Sequence, residues 1–494
     1  MTGPWWTLAG VSTASFLACI DLTIVNTAAP GIARELDATV PQTQLIVNIF
    51  VVALAVSVLP AGRLCDYFGQ RRALNFGIVL AGLSALGAGC APGVEFLVVC
   101  RFVLGVACAI LCITASAIVN ATFPEHQRGR AMGVLFGVNS ASQALGPILG
   151  GFLVGTAGWR WVFLATVPLA AVALAICAVS VGREHDARQH DRLDWTGIGL
   201  FVLGLSGIVL GVSVGGTLDW SRWWVLGLVT LGVLALAAFL FADRRSRSPL
   251  VPVRLFANHD FRRAITVEFA SGMFIMTALF LLPLYLSVVL GLDDFALGLL
   301  VLPISVTVAA LSPVVGRLTD RFSPRPLLRA GLVLLAASAL AQYGFGTDAS
   351  LGLVVVATVL MGLGWACTLS PAAITAVSAV PPHQSGTAVG STWTFHTAGG
   401  TLGLAASMLL FRGFAETHLD EALRARGVVP GPWAEQVVST PRTGADTLQR
   451  FSGLSPAEAT ELMHATFAAG HGAALLALAG VSLAVLLGVT VRTR

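Results

Sequence analysis

The side chains of this 494-residue chain that are placed to do chemistry are few, and they stand in apolar surroundings. Asp21 lies midway through an apolar run, with Asn26 five positions further on. A carboxylate inside a membrane span is costly to bury and ordinarily faces a bundle interior, where it takes up a proton or a cation. Asn26 suits either an interhelical hydrogen bond or contact with a substrate. Arg101 lies inside another apolar run and needs a carboxylate or carbonyl partner. In the second half, Glu268 and His396 stand within apolar runs. Each suits a proton or a cationic substrate, and each has a plainer role open to it: Glu268 reaching the interface, His396 packing as a neutral ring.

Other chemistries lack their residues. There is no H-E-x-x-H and no nucleophile constellation, so an enzyme is not expected. There is no G-x-x-x-x-G-K-[ST] and no lysine, so neither ATP nor any other cofactor is expected as the energy source. The eight cysteines show no metal-ligand spacing and read as free, small apolar fillers; no metal site is expected.

The elements that must position these residues are membrane helices. With 56% apolar and 11% charged residues and a mean hydropathy of +0.84, the solvent of this chain is lipid. Runs such as Val225 to Phe241, apolar almost without interruption, argue against the alternating pattern of a membrane β-barrel. At roughly 20 residues per span there is room for about fourteen helices. Apolar runs place six spans in residues 1–182, two more in 183–263 between basic segments, and six in 264–494. The last two spans are separated by a long outer loop at 412–465, in which Ser455-Pro456-Ala457-Glu458 has the form of a helix start and predicts a short helix before the last span. The first run, carrying Asp21, reads as a retained helix rather than a signal peptide.

Of the 29 basic residues, all arginine, 20 fall in loops on one side if the N-terminus is cytoplasmic, which predicts both termini inside. The net charge of +4 reflects this loop bias and is no nucleic-acid footprint.

One charged loop is duplicated. Gly62-Arg63-Leu64-Cys65-Asp66-Tyr67-Phe68-Gly69-Gln70-Arg71-Arg72 separates two apolar runs, and G-R-L-x-D-x-F returns at Gly316, Arg317, Leu318, Asp320 and Phe322. Such an echo points to an internal repeat of a membrane domain. Asp66 is suited to a helix N-terminus or an arginine, latching the two halves. The second copy, without the trailing glycine and paired arginines, is expected to matter less.

With these motifs in place the chain resembles the major facilitator superfamily, and within it the fourteen-helix drug:proton antiporters. The loop at Gly62, Asp66, Gly69, Arg71 and Arg72 is similar to that family's hinge. Asp21 to Pro30 is similar to its helix-1 pattern, and Arg101 to Gly105 to its R-x-x-q-G pattern with Leu104 in place of glutamine. Gly133, Ser142, Gly146, Pro147, Gly150 and Gly151 are similar to its antiporter motif. The resemblance implies an all-α membrane protein of two pseudo-symmetric six-helix bundles plus two linking helices. It implies proton-coupled export of amphipathic drugs or antibiotics across the cell membrane by alternating access, by a monomer that meets only the bilayer, protons and a hydrophobic or cationic small molecule. A dedicated exporter of one metabolite is the alternative, and a transport-dead sensor a remote one. Leu45 and Phe50 stand where the family has tryptophan and tyrosine, which implies a less polar pocket there.

Overall fold

The computed structural model describes residues 3–182, 194–218, 223–246, 249–250, 253–381, 384–431, 433–439 and 444–491. Among them all regular structure is helical: α1 (Pro4–Glu35), α2 (Val40–Phe68), α3 (Gln70–Gly89), α4 (Val94–Thr122), α5 (Glu125–Ala157), α6 (Arg160–Leu164), α7 (Thr166–Ser180), α8 (Trp195–Leu218), α9 (Trp223–Arg245), α10 (His259–Val288), α11 (Asp294–Phe322), α12 (Pro324–Tyr343), α13 (Leu351–Ser378), α14 (Ser385–Ala425), α15 (Trp433–Ser439), α16 (Gly444–Ser452) and α17 (Pro456–Val491), with a 3-10 turn at Val253–Ala257. Among the described residues twelve helices, counting α6 and α7 together, are long and apolar enough to cross a membrane. Of the fourteen expected, α5, whose glycine, serine and asparagine content lowers its hydropathy, and α8, of which only Trp195–Ile208 counts as a shorter apolar helix, are not among these twelve. Phe76, Leu83, Phe152, Val179 and Trp223 are each more than half exposed, as lipid-facing side chains are. The basic segment around Arg183, Arg188 and Arg192, with Arg247, Arg492 and Arg494, lies outside the described residues.

Two tight chain reversals sit where the sequence supplies glycine, while the turn from α11 to α12 sits on Ser323 at φ 79°. Gly69, at φ 93°, turns α2 directly into α3, and Gly158, at φ 90°, ends α5. A capping box starts α2, with the Thr39 N–H donating to Gln42 Oε1 at 2.9 Å.

Contacts divide the chain into two compact units. The first comprises residues 1–265, 309–324 and 369–394; the second comprises 266–308, 325–368 and 395–494. In the first, α8 and α9 form a close pair, with Gly207 against Gly232, and dock on α2 through Leu59, Phe201, Phe239 and Leu250. In the second, the expected outer loop is largely helical. α14 continues to Ala425 and α17 begins at Pro456. Leu419, Leu423, Val437, Val438, Leu448 and Leu462 share one core, and Trp433 stacks on Phe451 at 5.8 Å. The helix start at Ser455 is real, its N–H donating to Glu458 Oε2 at 2.9 Å. It opens α17 itself rather than a separate short helix, and no further proline interrupts the run to Val491.

Candidate functional site

Asp21 is fully buried on α1, and neither carboxylate oxygen has a hydrogen-bond partner among the described residues. Its neighbours in sequence, Ile20, Ile24 and Val25, pack with Leu97, Cys100 and Phe163. Arg101 on α4 is equally buried and acts on Asp21 electrostatically without forming an ion pair. Its Nε donates to the Ile46 carbonyl at 3.2 Å, using that oxygen's second lone pair, while its guanidinium lies 4.3 Å from the Phe50 ring centre. One terminal nitrogen, Nη1, is buried without a hydrogen-bond partner. The reading of Arg101 as a residue that needs a carbonyl or carboxylate is met by the carbonyl. Sequence reasoning missed that Phe50 forms the other half of its seat.

Asn26 is not brought to Asp21. Five residues along a helix turn it by roughly 140°, and its side chain is exposed. The α1 residues that do engage a neighbour are Thr23 and Thr27. A Cβ on Gly146 or on Gly150 would collide with the Thr23 or Thr27 hydroxyl, so those two glycines of α5 are where α1 and α5 touch. Pro147 has no N–H, which leaves the Gln143 carbonyl one turn earlier without its helical donor. The Thr23 hydroxyl donates to that carbonyl at 3.0 Å. The helix-1 pattern and the antiporter motif are therefore two sides of one contact. Gly133 meets α11 instead, against the Ser312 carbonyl and Pro313, while a Cβ on Gly151 would meet nothing within 4 Å.

Both hinge aspartates bind the start of a helix far away in sequence. Asp66, buried at the end of α2, accepts from the Gly386 N–H at 3.0 Å, the Thr387 N–H at 2.8 Å and the Thr387 hydroxyl at 2.7 Å. These are donors of the first turn of α14, where the helix dipole favours an anion. Gly62 and Gly386 permit the approach, since a Cβ on either would strike the other's carbonyl oxygen. Gln70 adds a bond to the Ser385 hydroxyl at 3.2 Å, and Arg71 donates to the Ala178 carbonyl near the end of α7 at 3.1 Å. Arg63 is buried beside Asp66, and Arg72 also has an interaction of its own. In the second copy, Asp320 of α11 accepts from the Gly129 and Arg130 N–H groups at 2.6 and 2.8 Å, near the start of α5, and Gly316 packs on Gly129.

Glu268 and His396, 128 residues apart, meet: His396 Nδ1 lies 2.9 Å from Glu268 Oε2, both groups buried in the second unit. Gly272 packs against the His396 carbonyl and Gly399 against the Phe269 carbonyl, so α10 and α14 cross in near backbone contact at this pair. Trp365 of α13 lies parallel to the His396 ring at 6.4 Å, and its Nε1 is buried without a partner. Glu268 thus does not reach for an interface, and His396 is no isolated packing ring. Among the described residues no group of three or more metal-ligating side chains is gathered, and every cysteine is a free thiol.

A comparison with known proteins fits this arrangement. The chain is 29% identical to the tetracenomycin C resistance and export protein of Streptomyces glaucescens, over 97% of this chain and 90% of that relative. It is 32% identical to a puromycin resistance protein of Streptomyces alboniger, over 84% of each. It is 30% identical to a multidrug resistance protein of Mycobacterium tuberculosis, over 88% of this chain and 80% of the relative. Among solved structures, a human organic anion transporter superposes with a TM-score of 0.65 at 14% identity, covering 99% of this chain and all of the other. A proton:xylose symporter does so with 0.57 at 13% identity, covering 96% and 94%; likeness at such identity speaks for the fold alone. The sequence profile of the Major Facilitator Superfamily matches residues 11–404, and the chain belongs to that superfamily of multi-pass membrane transporters.

Proposed function

We propose that this protein exports amphipathic drug- or antibiotic-like molecules across the cell membrane in exchange for protons, working as a monomer by alternating access, with both termini cytoplasmic and no cofactor. The observation that carries the reading is Asp21. It is a buried carboxylate without a hydrogen bond among the described residues, on the helix whose threonines dock into the antiporter-like glycines of α5. The names of the relatives supply the substrate class. Proton and cationic or polar substrate compete for one carboxylate, and that competition by itself couples their movements. Arg101, held by a carbonyl and an aromatic ring rather than by Asp21, keeps a positive charge near the site without occupying the carboxylate. The hinge contacts at Asp66 and Asp320 latch the charged-loop ends of α2 and α14 and of α5 and α11 in one state of the cycle.

The test is an inside-out vesicle carrying the protein, an imposed proton gradient and a pH-sensitive dye. Addition of tetracenomycin-like, puromycin-like or lipophilic-cation compounds is expected to discharge the gradient. A full panel without any discharge sinks the reading. Full-length similarity to an exporter named for one compound favours a second reading, a dedicated exporter, which would respond to one chemical series only.

A further inference from the structure

A cavity of about 450 Å³ in the first unit is lined by Trp5, His126, Gln127, Arg130, Arg317, Asp320 and Arg321. Of their side chains the transport reading uses that of Asp320 alone, and both of its carboxylate oxygens are already occupied by the N–H groups of Gly129 and Arg130. Three guanidinium groups remain around the cavity. Arg130 lies 4.8 Å over the Trp5 ring, Arg321 lies over Phe322, and Arg317 makes no hydrogen bond or ion pair among the described residues. Arg317 and Arg321 are one turn apart on α11 and so share a face. Beside that face runs an exposed apolar stripe at the same spacing, Val314, Leu318 and Phe322, exposed by 43%, 37% and 57%. Trp5 and Trp6, both exposed, open α1 at this end, and tryptophan collects at the depth of lipid headgroups.

A cluster of arginines accepts a phosphate through bidentate hydrogen bonds, and an apolar stripe leading away from it accepts a hydrocarbon chain. A soluble phosphate compound would use the first and leave the second bare. We propose that this cavity binds one anionic phospholipid, its phosphodiester held by Arg130, Arg317 and Arg321 and one acyl chain lying along Val314, Leu318 and Phe322. Because Arg130 also supplies a backbone donor to Asp320, the bound headgroup sits on the contact between α5 and α11 and favours its closed form.

The test uses the purified full-length protein titrated with phosphatidylglycerol and followed by native mass spectrometry, with no transport step, so it stands or falls apart from the export reading. Wild type is expected to retain one lipid per chain. Arg317→Gln/Arg321→Gln should bind it roughly tenfold more weakly, since each lost arginine removes attraction to an anionic headgroup. The exposed pair Arg424→Gln/Arg426→Gln, in the outer helical segment, should bind as wild type does. Leu318→Ser/Phe322→Ser should also weaken the lipid, while keeping all three guanidinium groups. Equal retention by the Arg317/Arg321 variant and wild type overturns the site. Equally tight binding of phosphatidylcholine overturns the anionic headgroup. Displacement of the lipid by an equal concentration of soluble glycerol phosphate makes this a soluble phosphate site and overturns the lipid.

Discussion

Asp21 carries the proposed coupling because of what surrounds it at the residue scale. A buried carboxylate without hydrogen bonds among the described residues has little to hold its charge except the Arg101 guanidinium, with which it forms no ion pair. Asp21→Asn keeps the volume and cannot exchange a proton. Gradient-driven uptake into inside-out vesicles is expected to fall by at least tenfold, while equilibrium binding of substrate to the purified protein changes much less. Undiminished uptake would move the proton site elsewhere, first to Glu268 and His396. Thr23 serves the backbone instead, because its hydroxyl replaces the donor that Pro147 removes from the Gln143 carbonyl. Thr23→Val fills the same space without the donor. It should cost about 1 kcal/mol of stability, read as a lowered thermal midpoint in detergent, and Thr23→Ser should restore it.

Among the helices, the contacts that matter are those where backbones approach without side chains between them. Gly146 meets the Thr23 hydroxyl of α1, so Gly146→Leu is expected to abolish export while insertion and protein level stay normal. Insertion depends on hydrophobicity, which leucine raises, and packing depends on size, which leucine violates. Normal efflux by this variant would remove the α1–α5 contact from the mechanism. The two hinges invite a direct comparison. Asp66 is buried and accepts three hydrogen bonds from Gly386 and Thr387, whereas Asp320 is half-buried and accepts two from Gly129 and Arg130. A hydrogen bond to a charged group contributes about 1.5–3 kcal/mol, so loss of either carboxylate shifts the conformational balance severalfold or more. Asp66→Asn should shift cysteine accessibility at the charged-loop ends further than Asp320→Asn does. Equal accessibility in Asp66→Asn and wild type would end the latch proposal.

For the molecule as a whole, the question is how many protons drive one substrate. One proton moving down a potential of about 100 mV releases ~2.3 kcal/mol, enough for a gradient of roughly fiftyfold for an uncharged substrate. The second compact unit holds its own buried acid–base pair, Glu268 with His396, shielded by Trp365. If that pair is a second proton carrier, wild-type vesicles clamped at that potential should exceed the fiftyfold limit and Glu268→Gln should stop at it. A common plateau for the two proteins would leave Asp21 as the sole carrier.

Much of this was legible in the residues alone. Helices, their approximate bounds and the membrane location follow from hydropathy, which is a local property summed over roughly 20 residues. The hinge, the helix-1 pattern and the antiporter-like glycines are contiguous motifs, and they stand at the contacts found between helices. What the sequence alone left open was partnership. Nothing in a linear reading joins Thr23 to Gln143, Asp66 to Thr387 or Glu268 to His396, because each pair depends on where two helices cross. Arg101 shows the same division. A guanidinium inside a span demanded a partner, and only the packing of α2 on α4 decided that the partner is the Ile46 carbonyl and the Phe50 ring. The segment at 412–465, expected as an outer loop because its hydropathy is low, has leucines and valines that join one core with residues of the neighbouring helices. Hydropathy reports which residues avoid water; it takes the crossing of helices to report which of them meet.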